Sequence, residues 1–136
     1  MDMGSAFATI NWLSVIAAAV SSFLVGGIWY GPLFGKAWMA AFNLTEEELA
    51  KRNMPMVFGG ALLLALVASI NLEMFLGAEA DLTFRVAAGF AAGLGWVAAF
   101  LGILYLFEMQ SMKAYLINAG YCVIALTLMG LILGAW

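Results

Sequence analysis

The sequence predicts an all-α integral membrane protein: a four-helix bundle with a short interfacial helical segment between spans one and two. Of its 136 residues, 66% are hydrophobic and only 10% are charged, whereas soluble domains average about 25% charged residues. The mean hydropathy is +1.06. The apolar residues form four runs, each about 20 residues long, which is the length a helix needs to cross a bilayer. The loops are short, so residues 1–136 are predicted to form a single membrane domain.

The scarcity of polar side chains excludes several classes of function. The net charge is −3 with five cations, so the sequence has no basic surface for nucleic acid. It has no histidine, no paired carboxylates within an apolar run and no phosphate-binding glycine loop. We therefore expect no catalysis, metal or cofactor. The single cysteine, Cys122, lies in an apolar run and is expected to pack as a small hydrophobic residue.

Span one is predicted over residues 10–30. Its apolar run is longer than that of a signal peptide, and no positive charge precedes it, so we interpret it as a retained span. A weakly polar face of small residues recurs at helical spacing: Asn11, Ser14, Ala18, Ser21, Ser22 and Trp29. Such a face more commonly packs against neighbouring helices than lines a pathway.

The densest cluster of special residues follows span one: Trp29-Tyr30-Gly31-Pro32-Leu33-Phe34-Gly35-Lys36-Ala37-Trp38. Pro32 disfavours continuation of the helix and Gly35 allows a second bend, so the chain is predicted to leave the membrane and turn here. A short interfacial helix is expected next. Thr45-Glu46-Glu47-Glu48 then matches a capping box, which predicts a second short helix before span two.

The remaining spans are predicted over residues 55–75, 84–107 and 114–136. Span three contains a seam of small residues, spaced alternately by four and three, that would let another helix approach closely: Ala88, Ala92, Gly95, Ala99 and Gly102. Gly89 and Gly93 form a second small pair on an adjacent face. Span four contains the pair Gly130 and Gly134, and Trp136 is expected to be an interfacial anchor.

The positive charges predict the orientation of the bundle. Four cations fall in the first and third loops, whereas Arg85 alone lies on the other side: Lys36, Lys51, Arg52 and Lys113. Because short cytoplasmic loops are enriched in Lys and Arg, both termini are predicted to lie outside the cytoplasm.

Threading the spans in order brings Glu73 and Arg85 to a similar depth. The pair could be an ion pair that connects spans two and three, or a proton or cation site centred on Glu73. We favour the ion pair, because a charge near an interface can reach water at little cost.

A second candidate site gathers near the opposite interface: Trp29, Tyr30, Lys36, Trp38, Asn118 and Tyr121. Aromatic residues with lysine are typical of a membrane boundary, but Asn118 lies about one turn inside span four and needs hydrogen-bond partners there. We interpret the group first as a structural latch between the motif and span four. A pocket for a lipid headgroup or small ligand is the alternative.

The motif at residues 29–38 also carries a resemblance. Together with Ile117-Asn118-Ala119-Gly120-Tyr121 and Met129-Gly130-x-Ile132-Leu133-Gly134-x-Trp136, it resembles a family of small four-span bacterial membrane proteins known only as a domain of unknown function. The likeness extends from Asn11 to Trp136. It implies four spans and a bacterial inner membrane, and it supplies no ligand.

Two functions remain open from the sequence. The first is a non-enzymatic protein that acts through helix–helix association in the bilayer, as a homo-oligomer or as an accessory subunit of a larger membrane complex. The small-residue seam of span three suggests this function. The alternative is a small transporter or channel for a proton, an ion or a small solute. Three features suggest this alternative: Glu73, the polar face of span one, and a weak internal sequence repeat between Gly27–Tyr30 and Gly102–Tyr105.

Overall fold

The computed structural model describes residues 4, 8, 10–77 and 80–135, and it is 87% helical with no strand in the described part. Four helices are long and apolar enough to span a membrane: α1 (Trp12–Leu33), α4 (Met54–Leu76), α5 (Leu82–Phe107) and α6 (Met112–Ala135). Two short helices, α2 (Gly35–Ala41) and α3 (Glu46–Ala50), lie between the first two spans. The predicted fold class is confirmed. The expected anchor Trp136 lies outside the described residues.

Side-chain caps fix where several helices begin. The Asn11 side chain accepts a hydrogen bond from the Ser14 amide at the start of α1, and Asp81 accepts one from Phe84 at the start of α5. Thr45 accepts from the Glu48 amide, which confirms Thr45 as the cap of α3, whereas the Glu48 carboxylate accepts from the Thr45 hydroxyl and not from its amide. Each cap satisfies an amide that has no partner inside the helix.

The four spans have unequal surroundings. Helix α6 packs along both α1 and α5, whereas α4 packs mainly on α1 and touches α5 and α6 only slightly. As a result, 28% and 33% of the apolar stretches of α1 and α6 are buried, against 11% in both α4 and α5. Helices α1 and α6 are therefore the inner pair, and most of the surface of α4 and α5 is left uncovered by the described part of the chain.

Helix α1 extends one turn beyond its predicted end. Residues Trp29–Leu33 continue it as a π-helical turn that contains Pro32, and the Phe34 amide donates to the Trp29 carbonyl at 2.8 Å. Proline lacks an amide hydrogen and crowds the carbonyl four residues earlier, and a wider turn relieves this crowding. The turn expected at Pro32 therefore occurs after Leu33. Glycine is needed at 35 because a Cβ there would come within 2.6 Å of the Tyr30 carbonyl oxygen.

The predicted seam of span three does not coincide with the face of α5 that packs within the chain. Gly95 and Ala99 are exposed, and Ala88, Ala92 and Gly102 are half-buried. The face buried against α6 contains Arg85 and three small residues that were assigned to the adjacent face or not singled out: Gly89, Gly93 and Ala98. A Cβ at Gly93 would come within 2.7 Å of the Val123 Cα.

A π-helical segment causes this change of register. Residues Gly93–Ala98 of α5 are π-helical, and a π turn holds more residues than an α turn. The buried positions are consequently spaced by four up to Gly93 and by five from Gly93 to Ala98. A pattern with regular helical spacing cannot follow the buried face across this segment.

Candidate binding site

The end of the bundle that contains Trp29, Tyr30, Tyr105 and Asn118, here called the aromatic end, is joined by side-chain hydrogen bonds. The Trp29 indole N–H donates to the Ile117 carbonyl at 2.8 Å. The Tyr30 hydroxyl donates to Asn118 Oδ1 at 2.6 Å, and Asn118 Nδ2 donates to the Tyr105 hydroxyl at 2.6 Å. The Asn118 amide thus connects α1, α5 and α6, which gives this residue the partners that its depth requires.

Glycines let the aromatic rings lie close to the facing helix. A Cβ at Gly120 of α6 would be 3.0 Å from the Trp29 ring, and a Cβ at Gly26 of α1 would be 3.4 Å from the Tyr121 ring. The Tyr121 hydroxyl donates to the Ser22 carbonyl at 3.0 Å. In each of the two inner helices, α1 and α6, a glycine therefore makes room for an aromatic ring of the other helix.

Helix α2 and the residue that follows it add further aromatic rings to the aromatic end. The Tyr30 ring lies 5.5 Å from the Trp38 ring and 5.4 Å from the Tyr121 ring, each edge to face. Phe42, just after α2, lies 6.3 Å from Tyr105 of α5. Such edge-to-face pairs are favourable beyond their buried area. Of the six residues predicted at this interface, the structure brings five together; Lys36 is exposed and forms no hydrogen bond with a described residue.

A cavity of about 620 Å³ lies beside this cluster, between α1, α4, α6 and the two short helices. Its lining is mostly apolar: Phe23, Gly26, Gly27, Tyr30, Gly31, Gly35, Trp38, Met39, Leu49, Arg52, Val57, Phe58, Ala61, Asn118 and Tyr121. The volume falls within the range of about 300–1,000 Å³ that is typical of small-molecule sites. The arrangement suits an amphipathic molecule better than a solvated ion.

Arg52 is the single charged residue in that lining, and the sequence alone did not single it out for binding. Its Nε donates to the Leu49 carbonyl at 3.1 Å, and it forms no ion pair with a described carboxylate. It immediately precedes Asn53, the cap of α4, whose side chain accepts from the Met56 amide. An arginine at the start of a span, level with tyrosine and tryptophan, is the available signal for an interfacial charge.

The opposite end, here called the ion-pair end, is organised by Glu73 and Arg85. Arg85 Nη1 lies 3.2 Å from Glu73 Oε2, and the two side chains are only 6% and 7% exposed. Arg85 also donates through Nε to the Ala80 carbonyl at 3.0 Å and through Nη1 to the Leu133 carbonyl at 3.2 Å. Its Nη2 donates to the carbonyl of Gly77.

The backbone around Arg85 provides both space and charge complementarity. Gly77, which ends α4, has a φ of 78°, a conformation that favours glycine. A Cβ at Gly134 would come within 2.9 Å of the Arg85 Cδ, and a Cβ at Gly130 would collide with the Arg85 carbonyl. The guanidinium meets carbonyls at the carboxyl ends of α4 and α6, where a positive charge is favoured. This geometry suits a structural ion pair, since arginine does not release a proton in proteins.

These features define the class: a helical protein with four spans long and apolar enough to cross a membrane, closed by a buried ion pair at one end and open to a lined cavity at the other. The chain belongs to the DUF1761 family, described as a protein of unknown function, whose model matches residues 13–134. No curated protein and no solved structure shows a significant match to the chain.

Proposed function

We propose that this protein is non-enzymatic and acts in the bilayer through helix–helix association, with copies of itself or as an accessory subunit of a larger membrane complex. The observation that carries the proposal is the exposure of α4 and α5, of which only 11% is buried within the chain. One exposed face of α5 contains Gly95 and Ala99, and nothing lies within 4 Å of a Cβ built at Gly95. Small residues on a lipid-facing surface allow another helix to approach closely.

The test is to block this face with bulk while leaving the internal packing intact. Gly95→Leu and Ala99→Leu place side chains on the exposed surface of α5, so the fold should persist. Leu94→Phe, also on the exposed surface of α5, adds bulk without occupying the small-residue face. Native mass spectrometry in mild detergent should show assemblies for the unmodified protein and for Leu94→Phe, and monomers for Gly95→Leu and Ala99→Leu.

Monomers of the unmodified protein, with no partner retained during purification from mild detergent, would overturn the proposal. So would assemblies that persist unchanged in both leucine variants. Circular dichroism of each variant establishes that the helices remain formed, so a loss of assembly can be attributed to the blocked face.

The alternative, a small transporter or channel, has less support. A pathway would be expected to expose Ser21, Ser22 or Glu73, and none of these lines the described cavity. Ser21 and Ser22 donate to carbonyls of their own helix, and Glu73 is paired with Arg85. Proton-coupled or ion-dependent uptake into proteoliposomes that is lost in Glu73→Gln would favour the alternative.

We also propose a bacterial inner-membrane location with the aromatic end at the cytoplasmic face. Support comes from the cations: Lys36, Lys51, Arg52 and Lys113 lie in or beside α2, α3 and the start of α6, at the aromatic end, whereas Arg85 lies at the ion-pair end. Single cysteines placed at Lys36 and at Asp81, in a chain with Cys122→Ala, should be labelled from opposite sides of the membrane by an impermeant maleimide. Labelling of both from the same side would contradict this topology.

A further inference from the structure

We propose that the cavity at the aromatic end is a binding site for an anionic membrane lipid, with its acyl chain among the apolar side chains and its phosphate at Arg52. The proposal concerns a different part of the molecule from the exposed face of α5. It therefore stands or fails independently of helix association.

The shape of the cavity favours a chain-like apolar ligand. On one side, Phe23 of α1 meets Phe58 of α4 edge to face, with ring centroids 5.6 Å apart. Val57 and Met39 extend this apolar wall. Gly27 leaves open space opposite, because nothing lies within 4 Å of a Cβ built there. With a volume of about 620 Å³, the cavity has room for part of a lipid, and its lining includes residues of the apolar spans α1 and α4.

The tyrosine and asparagine side chains that line the cavity already have hydrogen-bond partners. Tyr30, Asn118 and Tyr121 form hydrogen bonds to described residues. Arg52 uses its Nε on Leu49, and its two terminal nitrogens form no hydrogen bond with a described residue. A guanidinium can donate two parallel hydrogen bonds to a phosphate, whose negative charge is uncompensated in an anionic lipid and is offset by the headgroup's own ammonium in a zwitterionic one. The charge therefore selects an anionic headgroup.

The position of Arg52 also matches that of a lipid phosphate. The residue lies directly before Asn53, the cap of the spanning helix α4, and its side chain is exposed. A headgroup at this level would leave its acyl chain alongside Val57, Phe58 and Ala61, one to two turns deeper in α4. Basic residues at a membrane boundary attract anionic lipids in this way.

The experiment compares two lipids that differ only in headgroup. The purified full chain in mild detergent is titrated with dioleoyl-phosphatidylglycerol or dioleoyl-phosphatidylcholine, and lipid retention is measured by native mass spectrometry. We expect one phosphatidylglycerol to be retained with about tenfold preference, the discrimination expected from a charge-assisted hydrogen bond. Arg52→Gln should reduce this preference to below about twofold, whereas Arg52→Lys should keep part of it. The neighbouring Lys51→Gln, which does not line the cavity, is the matched charge control.

A second pair of variants tests the cavity separately from the charge. Gly27→Leu fills the cavity, whereas Gly60→Leu adds the same side chain at a position with equally open surroundings that is outside the lining. Phosphatidylglycerol retention should fall in Gly27→Leu and persist in Gly60→Leu. Equal retention of both lipids by the unmodified protein, or an unchanged preference in Arg52→Gln, would show ordinary boundary-lipid contact and overturn the proposal.

Discussion

The two ends of the bundle use different chemistry to hold the helices together. At the ion-pair end, Arg85 donates to the Glu73 carboxylate of α4 and to three backbone carbonyls. These belong to Gly77 at the end of α4, Ala80 in the loop before α5, and Leu133 of α6. At the aromatic end, neutral hydrogen bonds and ring contacts connect α1, α5 and α6 around Asn118. At the first end, the helices are held together by the buried Arg85–Glu73 ion pair. The second is joined by neutral hydrogen bonds and ring contacts and has a cavity of about 620 Å³ beside them.

The comparison indicates where stability and binding reside. Residues buried at the ion-pair end surround a core that includes Val15, Leu72, Met129 and Leu133. A buried charge and close backbone contacts are sensitive to change, whereas hydrogen bonds beside a cavity can be replaced by bonds to water. We therefore expect substitutions at the ion-pair end to affect folding more than those at the aromatic end.

The largest effect is expected for Arg85→Met. It leaves Glu73 buried without its partner and removes the donors to Gly77, Ala80 and Leu133, so the free energy of unfolding should fall by about 3–5 kcal/mol. Unfolding by SDS in mixed micelles, followed by circular dichroism, measures the loss. Glu73→Gln is the milder control, because its amide oxygen still accepts from Arg85, and its cost should be about 1–3 kcal/mol. An unchanged unfolding curve for Arg85→Met would contradict a structural role for the pair.

An intermediate effect is expected for Gly93→Ala. The added Cβ would lie 2.7 Å from the Val123 Cα of α6, so the helices must separate, at a cost of about 1–3 kcal/mol. Gly95→Ala is the matched control two residues later, since its Cβ meets open space and should cause no loss. The same SDS titration compares the two. Equal stability of the two variants would show that the buried face is not the one containing Gly93.

The smallest effects are expected at the aromatic end. Asn118→Leu removes the hydrogen bonds to Tyr30 and Tyr105 and should lower the free energy of unfolding by about 1 kcal/mol, since an interhelical hydrogen bond in a membrane protein averages about 0.6 kcal/mol. Tyr30→Phe removes only one of them and should cost about half as much. A loss for Asn118→Leu that matches Arg85→Met in the same titration would show that both ends contribute equally to stability.

Much of this fold follows from composition and local signals in the sequence. The four apolar runs predict the spanning helices, and the Thr45 cap predicts where α3 begins. The antiparallel order of the spans then brings Glu73 close to Arg85 and Tyr30 close to Asn118. Such proximity depends on depth in the membrane, which residue counts capture well.

Other features depend on tertiary packing that a linear pattern does not encode. The carbonyls around Arg85 come from the ends of α4 and α6 and from the loop before α5, so no residue type in the sequence signals their role. The cavity exists because α1, α4 and α6 leave a gap beside Phe58, and Arg52 joins it through the position of α3. The face of α5 that is buried within the chain does not follow regular helical spacing, because the helix is wider over Gly93–Ala98.

The π-helical segment of α5 indicates where the deletion of one residue should be tolerated. With one residue fewer between Gly93 and Ala98, the buried positions Arg85, Gly89, Gly93 and Ala98 would each follow the last by four residues, the spacing at which successive positions of an ordinary α-helix share a face. The segment thus contains one residue more than a regular α-helical spacing of the buried positions requires. Deletion of Leu94 should therefore preserve the packing against α6, whereas deletion of Val86, in the regular first half of α5, should rotate Gly89 and Gly93 away from it.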